Sequence, residues 1–295
     1  MIVENQSNIK VHFAGAEQTD FAYCISKGGN INYYLFSVFY FINKVLGLKN
    51  SGFRKGIPIY KELEYFNSKH SIMDSGLFTL MFGAHAGKRT EFEIDTWFNA
   101  LTEFVLKEDI KSTCVEVDCQ KILGVEKAWD LRIKMKEILP NNRIINVFHK
   151  EDGKKGLDRL IEFSDYIAIS VPELRAIGQK KYTYNLAHYI KNKKPSIDIH
   201  LLGCTEIQLL KDLNFCPSAD STTWQQLNRY GSIKGYSIKN IKQQKINEKY
   251  QSIVIDMCKR YDIEITQRKI DYYSRYCFTS DYYKKLYTKE AGNQD

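Results

Sequence analysis

Five short apolar runs in this chain, around Ile72, Val115, Val147, Ile169 and Ala219, close on side chains able to do chemistry: Asp74, Asp118, His149, Ser170 and Asp220. Three are carboxylates from separate segments. Two carboxylates facing one sugar permit displacement at its anomeric carbon, one attacking C1′ as nucleophile while the other carries a proton to or from the leaving group. Clustered Asp and His suit a metal equally well, because oxygen and nitrogen ligands match hard or borderline cations. Each residue alone also has a plainer use. In "SIMDSG", Asp74, Ser75 and Gly76 are all turn formers, and an Asp after a strand is a common helix N-cap. Around Asp118, Val115 and Val117 flank Glu116, and alternation along the run is expected to aim Asp118 into the site.

The elements that must position these residues are short β-rich runs, each followed by a longer segment of helical periodicity. The runs are "IKVHFAG" from Ile9, "SIMDSG" from Ser71, "TCVEVD" from Thr113, "RIINVFH" from Arg143, "DYIAIS" from Asp165, "DIHLLG" from Asp198, "CPSADS" from Cys216 and, more weakly, "SIKGYS" from Ser232. In "EIDTWFNALTEFVLKE", Ile94, Phe98, Leu101 and Val105 fall on one helical face, and "KAWDLRIKMKEIL" repeats the pattern. Alternating strands and helices call for a parallel sheet. Eight strands predict an α/β fold closed as a (β/α)8 TIM-like barrel, with an open doubly wound sheet as the alternative. In such a barrel the C-terminal strand ends form the active-site mouth, where the five residues fall.

The stretch "YYLFSVFYFINKVLGL" reads as a buried helix, since Asn43 and Lys44 interrupt it and it is short for a membrane span. Two amphipathic stretches beyond about residue 240, "NEKYQSIVIDMCKRYDI" and "QRKIDYYSRYCF", predict a helical extension (about 240–295) packed on a single domain spanning 1–295. No repeat or Pro/Gly/Ser-rich linker argues for a second domain.

With 43% hydrophobic and 26% charged residues the chain has the balance of a folded globular protein. Its net charge of +8 is spread along the sequence and favours a polyanionic partner. Seven cysteines, none spaced C-x-x-C, fit reduced thiols in a cytoplasm rather than a disulfide framework or zinc knuckle. The N-terminus lacks the pattern of a secretory signal, and no membrane association is expected. Neither a dinucleotide-binding G-x-G-x-x-G after the first strand nor a P-loop occurs.

Over roughly residues 70–235 these motifs resemble the tRNA-guanine transglycosylases and their DNA-acting relatives of phages and genomic islands. "IMDSGLFTLMFG" is similar to the family's D-S-G-[GA]-[FY] segment, which implies that Asp74 is the general acid/base. "VEVDC" resembles the strand whose aspartate reads the guanine edge, implying that role for Asp118. "HLLGCTEIQLLKDLNFCPSADSTTW" resembles the L-M-G stretch followed by F-D-[SC], implying that Asp220 is the nucleophile. The resemblance further implies substrate contacts at Ser75, Gly76, Phe78, Ser170 and Gly203. His149 stands in "NVFHKEDG", where the family has a Q-G pocket motif, and "IAISVPE" is only loosely similar to its L-A-V-G-E. The family's C-x-C-x-x-C zinc insert is not found, nor is an archaeal-type RNA-binding extension within these residues, and no bound metal or cofactor is expected.

Those departures make the DNA-modifying branch the better fit. The expected partners are DNA, or alternatively tRNA, and a free 7-deazaguanine base, with a homodimer left open and a host cytoplasm as location if the chain is phage-encoded. Lys150, Lys154, Lys155, Arg229 and Lys234 are candidates for backbone phosphates, and Phe78, Phe148 and Tyr230 for stacking on a base. A metal-dependent barrel hydrolase using Asp74, Asp118, His149 and Asp220, or a non-catalytic nucleic-acid-binding paralogue, are the other readings.

Overall fold

The computed structural model describes residues 9–48, 57–62, 71–82, 89–176, 178, 180–233 and 236–289. Eight strands form a closed barrel in sequence order: β1 Lys10–Ala14, β2 Tyr34–Ser37, β3 Ser71–Asp74, β4 Thr113–Val115, β5 Ile144–Phe148, β6 Tyr166–Ser170, β7 Asp198–Leu202 and β8 Ser218–Ser221. Every neighbouring pair is parallel, and β1 closes on β8 with Lys10 opposite Ser218 and His12 opposite Asp220. This is the expected (β/α)8 architecture.

Period two sorts each strand into an inner and an outer set. Ala14, Leu35, Ile72, Val115, Ile145, Val147, Tyr166 and Ala168 share one cluster in the lumen. The alternate residues, among them Val11, Phe13, Phe36, Met73, Ile167, Ile169, Ile199 and Leu201, join the larger core under the helices. Helix Glu91–Lys107 shows how that outer layer is specified. Thr90 and Glu93 form a reciprocal capping box at its start, and Ile94, Trp97, Phe98, Leu101 and Val105 make its buried face.

Two expectations are corrected. Residues 33–48 do not form one helix: Tyr34–Ser37 is barrel strand β2, followed by a short helix, Phe39–Ile42, and a 3-10 turn, Asn43–Leu46. All four β2 residues are buried, so the alternation that marks a half-exposed strand is missing, and a run apolar on both faces reads like a buried helix. "SIKGYS" is not a barrel strand. Ser232–Ile233 pairs antiparallel with Tyr236–Ser237 in a separate hairpin, the barrel already being closed at β8.

The two C-terminal helices, Gln243–Arg260 and Gln267–Lys289, pack on the segment that follows β1. The Tyr23 hydroxyl donates to Asp256 at 2.8 Å, and Tyr273 donates to buried Asp20 at 2.6 Å. A Cβ built on Gly28 would lie 2.5 Å from Cys277 Cβ, so the bare backbone there is a notch that the last helix fills. No helix among the described residues is long and apolar enough to cross a membrane.

One buried ion pair fastens the barrel wall to its helices. Glu116 follows β4 and turns outward, where Arg132 Nε and Nη2 donate to its two oxygens at 2.8 and 2.7 Å and the Val147 N–H adds a third bond at 2.9 Å. The guanidinium also lies 4.4 Å from the Trp129 ring. Removing one partner strands the other charge out of water. Glu116→Ala is therefore expected to lower stability by about 3–5 kcal/mol, read as a fall in the urea midpoint.

Candidate active site

Asp74 ends β3 with its side chain on the lumen side, at the C-terminal mouth. The tight turn after it is built from its neighbours: Gly76 has φ +73°, and its N–H donates to Asp74 Oδ2 at 2.9 Å. Trp97, fully buried on helix Glu91–Lys107, donates its indole N–H to the Ser75 carbonyl at 2.9 Å and pins the turn from behind. Ser37 Oγ, at the end of β2, donates to the same Oδ2 at 3.4 Å. Oδ1 keeps no hydrogen bond among the described residues. Burial pushes the Asp74 carboxyl up to about 7, the Gly76 and Ser37 bonds partly oppose this, and the charges of Asp118 and Asp220 add to it.

Any side chain at position 76 meets two obstacles, the left-handed backbone and Phe39, whose Cβ and N lie 2.8 and 2.9 Å from a built Cβ. Gly76→Ala is expected to cost about 2–4 kcal/mol and to misplace Asp74, seen as a lower thermal midpoint together with lost activity.

Asp220 is held in the same manner from a different pair of strands. It points into the lumen from β8, and the Gly203 N–H, in the turn after β7, donates to its Oδ1 at 2.7 Å. Gly203 has φ +59°, and a Cβ there would sit 2.8 Å from Pro172 Cγ. The Asp220 side chain is 11% exposed, and its Oδ2 has no hydrogen bond among the described residues. Each aspartate thus has one oxygen held by a glycine N–H and the other without a hydrogen bond among the described residues.

Asp118 reaches the mouth by a route that alternation does not describe. The strand stops at Val115, and the Cys119 N–H donates to the Val117 carbonyl at 3.0 Å, a three-residue turn centred on Asp118. Glu116 and Asp118, two residues apart, consequently face opposite ways, one to Arg132 and one to His149. His149 Nε2 donates to Asp118 Oδ2 at 2.8 Å, while Nδ1 donates to Glu173 Oε2 at 2.9 Å. Lys121 Nζ completes the row at 2.9 Å from Glu173 Oε1.

Burial alone lowers the basicity of His149, but its hydrogen bonds to the two carboxylates outweigh that and raise it to about 10. Burial likewise opposes ionisation of Glu173, yet the His149 and Lys121 bonds hold it at about 2. His149 is an imidazolium with both nitrogens engaged, so it fixes Asp118 rather than offering a lone pair. Asp118 Oδ1 remains without a hydrogen bond among the described residues.

Ligand atoms of His149, Glu151 and Glu173 lie within 4.8 Å of one another, the one such grouping among the described residues. A cation already on the imidazole and the Lys121 ammonium on Glu173 make this a poor seat for a divalent metal. Asp74, Asp118, His149 and Asp220 are not drawn together as a ligand set. All seven thiols are free and buried, and burial raises Cys114 and Cys119 to about 12.

Ser75 and Gly76 are buried and build the turn, Ser75 through its carbonyl and through Oγ, which accepts the Leu77 N–H at 3.4 Å, whereas Ser170 is half-buried at the lip of β6. Phe78, 72% exposed just after the Asp74 turn, and Tyr230, 75% exposed after β8, present large rings to solvent. Phe148 is buried in the outer core and offers no stacking face. Lys150, Lys154 and Lys155 are exposed at the start of the segment after β5, as is Arg229 beside Tyr230, and Lys234 lies outside the described residues.

Glu17 is a mouth residue that no sequence pattern announced. It sits in the loop after β1, accepts the Ser37 N–H at 3.3 Å, and so shares Ser37 with Asp74. Burial pushes its carboxyl up to about 7, partly offset by backbone hydrogen bonds and the charge of Arg229. Glu173 escaped notice for a related reason, looking like an ordinary first-turn acid of helix Val171–Ala176.

In comparisons with known proteins, no protein-family model matches the chain and no curated protein matches it.

Proposed function

We propose that the protein is a base-exchanging glycosyltransferase that replaces guanine in DNA by a 7-deazaguanine through a covalent aspartyl-glycosyl intermediate. The observation that carries this reading is the matched pair of Asp74 and Asp220. Both stand at strand ends on the lumen side with one oxygen that has no hydrogen bond among the described residues, and burial holds Asp74 up to about 7, where it can take up or give a proton near neutrality. Separating two carboxyls into a proton carrier and a nucleophile is what displacement at a glycosidic carbon requires.

The target nucleoside is extruded, since neither C1′ nor the base edge is reachable inside a helix. Asp220 Oδ2 attacks C1′, the C1′–N9 bond breaks, and its electron pair is neutralised by the Asp74 proton. Guanine leaves. The incoming base gives its N9 proton to Asp74 and attacks C1′, and the Asp220 ester bond breaks. Asp118 Oδ1 accepts from the base N1–H and exocyclic amine, and adenine, which presents an acceptor there, leaves that carboxylate unpaired. Exposed Phe78 and Tyr230 suit stacking on unpaired bases, and Lys150, Lys154, Lys155 and Arg229 suit phosphates.

The choice of DNA over tRNA rests on the resemblance and on cysteines that offer no zinc spacing. Labelled guanine or 7-deazaguanine supplied with the protein at low salt is expected to enter DNA. Label entering tRNA alone moves the assignment to the tRNA enzymes, and label entering neither removes the transglycosylase reading.

A further inference from the structure

Beneath the mouth, where the lumen of β3–β5 is aliphatic, β6–β8 carry a chain of polar side chains. Tyr166, His200, Ser218 and Asp220 all point inward. The Tyr166 hydroxyl is hydrogen-bonded to Ser218 Oγ, Ser218 Oγ to His200 Nδ1 at 2.5 Å, and His200 Nε2 to Asp220 Oδ1 at 3.3 Å. His200 is fully buried. Buried polar groups destabilise unless every one is satisfied, and Val, Ile or Leu is the usual filling of such a barrel.

One direction of donation satisfies every hydrogen in the chain. The Tyr166 phenol, which burial keeps protonated by raising it to about 12, donates to Ser218. Ser218 then donates to His200 Nδ1, which fixes the ring proton on Nε2, facing Asp220. His12 does not compete. Its Nδ1 lies 3.1 and 3.2 Å from the Lys10 and Ala219 carbonyls, and burial, helped by His200, lowers it to about 3, so its ring is neutral.

We propose that His200 is the positioning residue of Asp220: with the Gly203 N–H it fills Oδ1 and so selects Oδ2 as the oxygen that attacks C1′. Both donors come from the one segment "HLLG", so the carboxylate of β8 is gripped by the neighbouring strand and its turn. The role of His200 rests on the transglycosylase reading, while its proton placement does not.

Two experiments separate these. In the first, 15N-histidine NMR of the substrate-free protein is expected to show His200 protonated on Nε2 with Nδ1 accepting, and Ser218→Ala is expected to change that signature. A proton on Nδ1, or a signature indifferent to Ser218→Ala, overturns the inference. In the second, the rate of the denaturant-resistant adduct with a single-stranded DNA oligonucleotide containing one guanine is measured. His200→Gln, which keeps a donor, is expected within about threefold of wild type, and His200→Phe about 10- to 100-fold slower with unchanged oligonucleotide binding.

Wild-type adduct rates in folded His200→Phe overturn the role. If that variant does not fold, Ser218→Ala, expected about 3- to 10-fold slower, replaces it under the same criterion. Absence of any wild-type adduct with the DNA oligonucleotide and with tRNA alike removes the transglycosylase reading and with it the role of His200, and the NMR signature still decides where the proton lies.

Discussion

Asp220→Asn is expected to fold like the wild type and to form no denaturant-resistant adduct with nucleic acid. The amide oxygen still accepts the Gly203 N–H that Oδ1 accepts at 2.7 Å, so the turn after β7 keeps its partner. What disappears is the anionic oxygen. An amide cannot attack C1′ and leave again, so the expected loss is at least about 1,000-fold in base exchange as well as in adduct formation. Denaturing gels with labelled oligonucleotide and circular dichroism of the variant together check this. Exchange at the wild-type rate would falsify the nucleophile assignment.

Asp74→Asn is expected to be inactive and more stable than the wild type. The carboxyl has a folded-state value of about 7 against an ordinary 3.8, mainly through burial. Between those values the folded protein holds a proton that the unfolded chain has released, so stability falls as pH rises from about 4 to 7 and levels off above. Asparagine removes that penalty. The variant is expected to be more stable by on the order of 2–4 kcal/mol at pH 8, the gap closing near pH 4, as measured by urea unfolding at both pH values. The same value sets the pH dependence of the first chemical step. Adduct formation needs the Asp74 proton, so its rate is expected to fall as pH rises through about 7. Equal stability of the two proteins at pH 8 would deny that the site holds this carboxyl at a cost.

The parts of this arrangement that could be read from residue order share one property: they are local. Asp74 and Asp220 stand at the ends of apolar runs, and period two carries each to the lumen. The D-S-G triplet both turns the chain and, through the Gly76 N–H, orients the aspartate before it, so turn and site are the same feature. What escaped depends on distant groups. β2 hides in "YYLFSVFYFINKVLGL" because the helices bury its outer face as fully as the lumen buries its inner one. Alternation failed at Asp118 because the strand ends at Val115 and a tight turn intervenes. The charge on His149 is set by Asp118 and Glu173, from two other segments, with Lys121 paired to Glu173, and no motif around "NVFHKEDG" contains them. Glu17 lies two residues past a glycine in a loop, where only the fold shows that Ser37 joins it to Asp74.

The closure of β1 on β8 and the seating of the last helix in the Gly28 notch also govern how the protein is made. His12 and Ala219 are separated by 207 residues, and Asp20 and Tyr273 by 253. A ribosome exposes the first strand long before it has produced the partner of that strand's open edge, and the notch waits longer still. Contacts this remote in sequence form slowly, and an unpaired strand edge invites pairing with other chains. The nascent protein therefore carries one flank of the sheet unfinished until β8 emerges, and its first helical unit is completed only when the helices Gln243–Arg260 and Gln267–Lys289 follow.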